Sequence, residues 1–435
     1  MAFQQALSGL NTSSKAIDVT SNNIANSSTV GYKASVSHFA DVYANSLSGS
    51  GANQVGIGAS LAAIQQQFTQ GNITTTNNPL DLSINGAGFY RMDQNGAITY
   101  SRNGQFHLDK NGFVVNDQGM ELTGYPAKSG VIVPSTPAPL QISASDLAPK
   151  ATGANTSSTF QGVKANLNLD SRQTVPTTAW ADGPAAGTVS GWSPDPLTYN
   201  YSTALSVYDT LGNAHTTTMY FRKAATAGDW NVYANVDGTT NLNSGAAGPI
   251  TTLHFDTSGK LVSGSPVTFT INLASVGTSL GSTTGALSPQ TFPIDFTGTT
   301  QFGSAFGTNS LAQDGYSAGH LVGLSVGADG VIQGRYSNNQ TFNQGQVVLT
   351  NFTNPNGLQS LGNNQWAETS LSGPALVGAP NTSSLGTLQA SSVEESNVDL
   401  TAELVNLITQ QRNYQANAQS IKTQDQIMQT LVNLR

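Results

Sequence analysis

The sequence predicts a multidomain α+β protein, with paired N- and C-terminal α-helices and nested, mainly antiparallel β domains between them. Three observations carry this. Apolar residues recur at helical spacing at both ends of the chain. Short apolar runs alternate with Asn-Gly and Asp-rich turns through the middle. Polarity comes from Ser, Thr, Asn and Gln beside 45 glycines, while only 9% of residues are charged, against about 25% in an ordinary globular protein. At 435 residues the chain can form several cores.

At the N-terminus, Phe3, Leu7, Leu10, Ile17 and Ile24 share one helical face, with Ser14 and Ser21 narrowing the stripe. The stretch from Val398 to Arg435 is stronger. Leu404, Leu407, Tyr414, Ala418, Ile421, Met428 and Val432 form its stripe, interrupted by Gln411 and Asp425. Leu400, Val405, Ile408, Ile427, Leu431 and Leu434 widen it. Ser396 followed by Asp399 reads as an N-terminal capping pair. At about 1.5 Å per residue the helices would run roughly 35 and 50 Å. Neither hides its stripe alone, so they are expected to pair with each other and then with neighbouring copies. A short helical hairpin closing an ordinary domain is the plainer alternative.

Between the ends, Ser83 to Pro126 reads as a meander with turns at Asn95-Gly96, Asn103-Gly104 and Asn111-Gly112. Similar texture returns at 204–223, 230–238 and 320–336. From Ala151 to Thr308 the chain is rich in Thr, Ser, Gly and Ala, with Trp180, Trp192, Tyr199, Tyr201, Tyr220, Trp230 and Tyr233 as core material for a separate β domain. If the terminal helices meet, the middle must go out and return, which inserts each outer domain into the one beneath it.

Composition and motifs exclude several functions. A net charge of −8 offers no basic patch for phosphates, so neither nucleic acid nor an anionic membrane is an expected partner. No apolar run reaches the roughly 18 residues of a membrane helix, and MAFQQALSGL lacks the features of a cleaved signal peptide. Without cysteine there is no disulfide, thiol catalysis or zinc–thiolate site. Gly323 to Gly327 matches the G-x-S-x-G elbow around Ser325, but a turn and a strand follow instead of a helix, and His320 precedes the serine. His38, His107, His215, His254 and His320 are scattered without metal-ligand spacing. Asp93, Asp109 and Asp256 open Asp-x-x-Gly turns that lack the glutamate of a calcium loop. The Val55 to Ser60 glycines lack the third glycine and following helix of a phosphate loop. No enzymatic activity, cofactor or metal is expected.

Asn22, Asn23, Ala25, Asn26, Thr29, Gly31, Tyr32 and Lys33 resemble the N-terminal signature of the bacterial flagellar rod and hook proteins. NPLDLSINGAGFYRM from Asn78, the stretch from Tyr100 to Pro126, FTNPNGLQSLGNNQWAETSLSG from Phe352 and the C-terminal helix are similar to the same family. Rod members are much shorter, and the β insertion with SVYDTLGNAH at Ser206 favours the hook members. The resemblance implies an inner helical assembly domain (1–30 plus 396–435), a connecting segment (31–70 plus 367–395), a β domain (71–150 plus 309–366) and an outer inserted β domain (151–308). It implies a homopolymer forming a curved extracellular tube at the flagellar hook and basal body, exported by the type III apparatus without a cleaved signal peptide. Its implied partners are a rod protein proximally, a hook–filament junction protein distally and a cap protein during growth. A distal rod protein is the alternative, and an extracellular β-rich adhesin a more distant one.

Leu7, Leu10, Ile17, Ile24, Leu404, Leu407, Tyr414, Ile421 and Met428 are expected to carry assembly. Gly31 is expected to permit a backbone reversal, with Asn22, Asn23 and Asn26 capping carbonyls or bonding to neighbours, and Tyr32 and Lys33 contacting an adjacent subunit.

Overall fold

A computed structural model describes residues 2–42, 56–155, 160–181, 193–238, 248–280 and 285–433. The chain forms two compact units. Unit 1 comprises Met1–Ala144, Val322–Arg335 and Thr341–Arg435; unit 2 comprises Ser145–Leu321 and Tyr336–Gln340.

Unit 1 opens with helix α1 (Ala2–Ala25) and closes with helix α3 (Leu400–Asn433). α3 begins later than its apolar pattern suggests. The Asp399 carboxylate accepts from Thr401 N at 2.9 Å and Ala402 N at 3.1 Å, so Asp399 is the cap rather than Ser396. An Asp there satisfies orphan amides and complements the helix dipole together. After α1 come antiparallel strands β1 (Ser35–Val42) and β2 (Gly58–Gln66). The largest sheet runs through strands Val331–Tyr336, Thr341–Val347, Glu121–Lys128, Phe89–Gln94, Ala97–Ser101, Gln365–Ala367 and Gln359–Gly362. Its aromatic core packs edge to face, with Phe89 5.7 Å from Trp366 and Tyr100 4.8 Å from Phe352. Asn95 and Gly96 both adopt positive φ between paired strands, but the expected meander breaks at Asn103-Gly104, which links Ala97–Ser101 to His107–Leu108 without those strands pairing.

Unit 2 is a sandwich. One antiparallel sheet holds Tyr201–Tyr208, Ala214–Lys223, Asp229–Val236, Thr251–Phe255 and Leu261–Ser263 in sequence order. The other orders Val267–Ile271, Gln290–Asp295, Val163–Asn168 and Gly307–Gln313, with Val163–Asn168 parallel to Gln290–Asp295. Helix α2 (Leu273–Leu280) lies between its strands in sequence. Val163, Leu167, Phe221, Trp230, Val232, Phe292 and Phe296 share one core drawn from both sheets. Strand alternation separates the expected aromatics. Trp230 enters that core, whereas Tyr220 and Tyr233 point the other way and carry Trp180, stacked 4.1 Å from Tyr233. Tyr199 joins this layer 4.9 Å from Tyr220, and Tyr201 stacks on Phe306. Trp192 lies outside the described residues.

Candidate assembly site

α1 and α3 pack antiparallel, which two contacts fix. Gly9 opposes Asn417, where a Cβ on Gly9 would lie 2.8 Å from Asn417 Nδ2. Near the other end, Asn23 Nδ2 donates to Glu403 Oε1 at 3.1 Å. Gly9, Ala16 and Asn23 recur every seven residues, and Ala16 and Asn23 are buried. The contact line of α1 is therefore small and polar, and the small residues let the helix axes approach closely. Leu10, Ile17 and Ile24 flank this line half-buried, while Leu7 is exposed.

On α3 the least exposed of the described residues are Ala418 and the seam residues Glu403, Leu407, Gln410, Asn417, Ile421 and Gln424. The seam residues follow alternating spacings of three and four once the 37%-exposed Tyr414 is included. The seam thus alternates an apolar position with a polar one. Gln411 and Asp425, expected as its interruptions, are exposed. Sequence reasoning missed Gln410, Asn417 and Gln424 because it followed hydrophobicity alone; their seven-residue period was the available signal.

The assembly residues expected from sequence consequently divide. Leu10, Ile17, Ile24, Leu407 and Ile421 are half-buried beside neighbouring elements and Tyr414 completes the seam at 37% exposure, whereas Leu7, Leu404 and Met428 are exposed. Further apolar side chains lie open on α3, including Val405 at 59% and Ile408 at 51%. On the β1–β2 hairpin, Val36, Phe39, Leu61 and Ile64 are also exposed. Packing among the described residues leaves an apolar helix surface exposed, the pattern of an interaction surface.

The opening signature forms the joint beneath this pair. α1 ends with the Asn26 amide donating to Asn22 O at 3.0 Å and Asn22 Oδ1 at 2.6 Å, while Thr29 Oγ1 donates to Asn26 Oδ1. Gly31 takes φ +71°, and a Cβ there would lie 2.7 Å from Asn103 N. Its N–H donates to Glu394 O at 2.8 Å. Asn23 is the pin: its amide donates to Ser35 O and Glu403, and its oxygen accepts from Ser35 N and Tyr32 Oη. From the C-terminal side Asn397 answers, accepting from Ala34 N and donating to Gln67 O. Ala25 is exposed at the end of α1.

Lys33 corrects its expected role. Its ammonium is fully buried, 2.7 Å from Glu394 Oε1 and donating to Thr69 O at 2.8 Å, so it is not available to an adjacent subunit. Arg102 Nη1 reaches the other Glu394 oxygen at 3.3 Å, leaving two buried cations sharing one carboxylate. Burial draws the Lys33 amine below its ordinary value, with Glu394 opposing the shift. Tyr32 is half-buried against Asn23. Neither Arg102 nor Glu394 was identified from sequence; their scarcity as charges was the only hint.

An open cleft of about 510 Å³ adjoins the joint, lined by Asn22, Asn26, Tyr32, Gln118, Asn363 and Asn364 among others. The Asp turns are occupied from within. Asp109 Oδ1 accepts from Asn111 N and Phe113 N, and Asp256 Oδ1 from Ser258 N and Lys260 N. Among the described residues no three His, Asp or Glu side chains gather to hold a metal, and no helix is long and apolar enough to cross a membrane. Gly323 to Gly327 lies on a strand followed by a turn and another strand.

Four family models match successive parts of the chain. They are the flagella basal body rod protein at 3–33, the flagellar hook protein FlgE/F/G D1 domain at 83–147, the flagellar basal body protein FlaE D2 domain at 168–316 and the flagellar basal body rod FlgEFG protein C-terminal at 389–434. The flagellar hook protein FlgE of Escherichia coli K12 is 42% identical, with 100% of both chains covered. That of Borreliella burgdorferi is 31% identical over 100% of this chain and 99% of its own. Among solved structures, the Helicobacter pylori flagellar hook protein FlgE2 shares the fold, with a TM-score of 0.51 at 14% identity over 74% of this chain and 100% of that one. Full-length identity on this scale, together with successive matches to the terminal, D1 and D2 models, places the chain in the flagellar hook protein FlgE family.

Proposed function

We propose that this hook subunit polymerises through its terminal helices into a curved, flexible tube that acts as a universal joint, carrying torque from the rod to the filament. The observation that supports this reading most is the uncovered apolar surface of α3, where Leu404, Val405, Ile408, Ile427 and Met428 stay exposed although α1 already occupies another face. Residues 1–30 and 396–435 serve as the assembly domain, with a seam that interlocks and resists twist. Unit 2 has few charges and many hydroxyl and amide side chains, so its neighbours exchange weak polar and water-mediated contacts at little cost during bending. Export proceeds through the type III apparatus. A rod protein lies proximally, a hook–filament junction protein distally, and a cap protein attends growth.

Electron microscopy of concentrated full-length chain beside a version lacking residues 1–30 and 396–435 tests the reading. Curved tubes are expected from the first and monomers from the second; straight tubes would instead identify a distal rod protein. Ile421→Asp, on the half-buried seam, is expected to abolish tubes while circular dichroism still reports folded β domains. Normal tubes from that variant would refute the role given to the helices.

A further inference from the structure

Unit 2 contains an imidazole held between two carboxylates. His215, near the start of strand Ala214–Lys223, is 8% exposed. Its Nδ1 lies 2.6 Å from Asp237 Oδ2, just beyond strand Asp229–Val236. Its Nε2 lies 3.5 Å from Asp209 Oδ2, just beyond strand Tyr201–Tyr208. A neutral imidazole donates from one nitrogen only, whereas carboxylates only accept, so the protonated ring alone serves both partners.

Both carboxylates are fixed by the backbone around them. Asp209 Oδ1 accepts from Leu211 N and Asn213 N, each at 2.9 Å, which shapes the turn between the strands. Asp237 Oδ1 accepts from Thr216 N at 2.7 Å. The turn then abuts the segments by which the chain enters and leaves unit 2. A Cβ on Gly212 would lie 2.6 Å from Pro149 and 3.3 Å from Ala318 N. Leu147 pairs with Gly319 and Lys150 with Tyr316 across those segments, and Thr152 exchanges two hydrogen bonds with Tyr208.

We propose that His215 is a proton-operated brace, clamping the Asp209–Asn213 turn to Asp237 and thereby holding it against the paired entry and exit segments of unit 2. The charges acting on the ring are those of Asp237 and Asp209. Lys150 and Asp314 belong to the entry and exit segments, where Asp314 Oδ1 is engaged by Gly153 N; Gln290, which bonds to Thr152 O and Tyr208 O, is neutral. The Asp237 hydrogen bond, aided by Asp209 and opposed by burial, holds His215 above its ordinary value. A raised folded-state value makes the brace strongest below the unfolded value of about 6.5. It is lost as pH climbs through the folded value.

Histidine-labelled NMR of the unpolymerised full-length chain tests this, with the His215 signal assigned by its loss in His215→Gln. The wild-type midpoint is expected above about 6.5, and Asp237→Asn is expected to lower it by about one unit. Hydrogen exchange of the Gly212 and Asn213 amides, corrected for intrinsic pH dependence, should lose about tenfold protection from about pH 6 to about pH 9, a span that crosses the imidazole titration. That loss should disappear in His215→Gln. A midpoint at or below the ordinary value, or protection independent of pH in the wild type, would overturn the proposal. Should His215→Gln fail to fold, the wild-type exchange profile and the Asp237→Asn titration decide it.

Discussion

The helical ends of unit 1 and the sandwich of unit 2 dispose of their apolar residues in opposite ways. In the sandwich, Phe221, Trp230, Phe292 and Phe296 lie in a core that both sheets close. On α3, Val405, Ile408, Ile427 and Met428 remain outside a helix pair that is already formed. A fold that completes its own core needs nothing further; the open face of the helix is the ground for the assembly proposed for it. The contrast extends to charge. The joint at Lys33, Arg102 and Glu394 buries three ionised groups, a concentration of the few charges the chain possesses.

The largest expected effect breaks that joint. Glu394→Ala leaves Lys33 and Arg102 buried without their counter-ion, at a cost of about 3–5 kcal/mol. Urea unfolding followed by residue-resolved hydrogen exchange should show unit 1 losing stability while unit 2 keeps its own; equal losses in both would abolish the distinction between them. Gly31→Ala comes next. Its positive φ and its close approach to Asn103 N predict about 1–3 kcal/mol of destabilisation, again confined to unit 1. Ile408→Asp has the smallest effect on folding, about 0.5 kcal/mol, because about half of the residue is already exposed to water. Sedimentation should nevertheless show tube formation lost, whereas Val262→Asp, at a similarly exposed site in unit 2, should leave both folding and tubes intact.

Local chemistry made much of this legible in the sequence. Helical periodicity located α1 and α3, and Asn95-Gly96 and Asn111-Gly112 located hairpins, because each signal is complete within a few residues; Asn103-Gly104 instead joins strands that pair with other partners. The joint was harder. Lys33 and Glu394 are 361 positions apart, and nothing in GYK declares that its lysine turns inward. The seam was half legible, since Leu407 and Ile421 stood out while the intervening Gln410 and Asn417 looked like ordinary polar helix residues. Small side chains were equally quiet: Gly9 and Ala16 set how closely the helices meet without contributing to any apolar count.

The antiparallel pairing of α1 with α3 also acts as a test of completeness. Asn23 and Glu403 lie 380 positions apart, so their contact cannot form until nearly all of the chain has been made. A product cut short before residue 400 would retain α1 and both β regions yet have no Asn417 to place against Gly9 and no Glu403 to accept from Asn23. If the helix pair carries assembly as proposed, truncated copies would be barred from the growing tube by their own missing half, without any separate factor to recognise them.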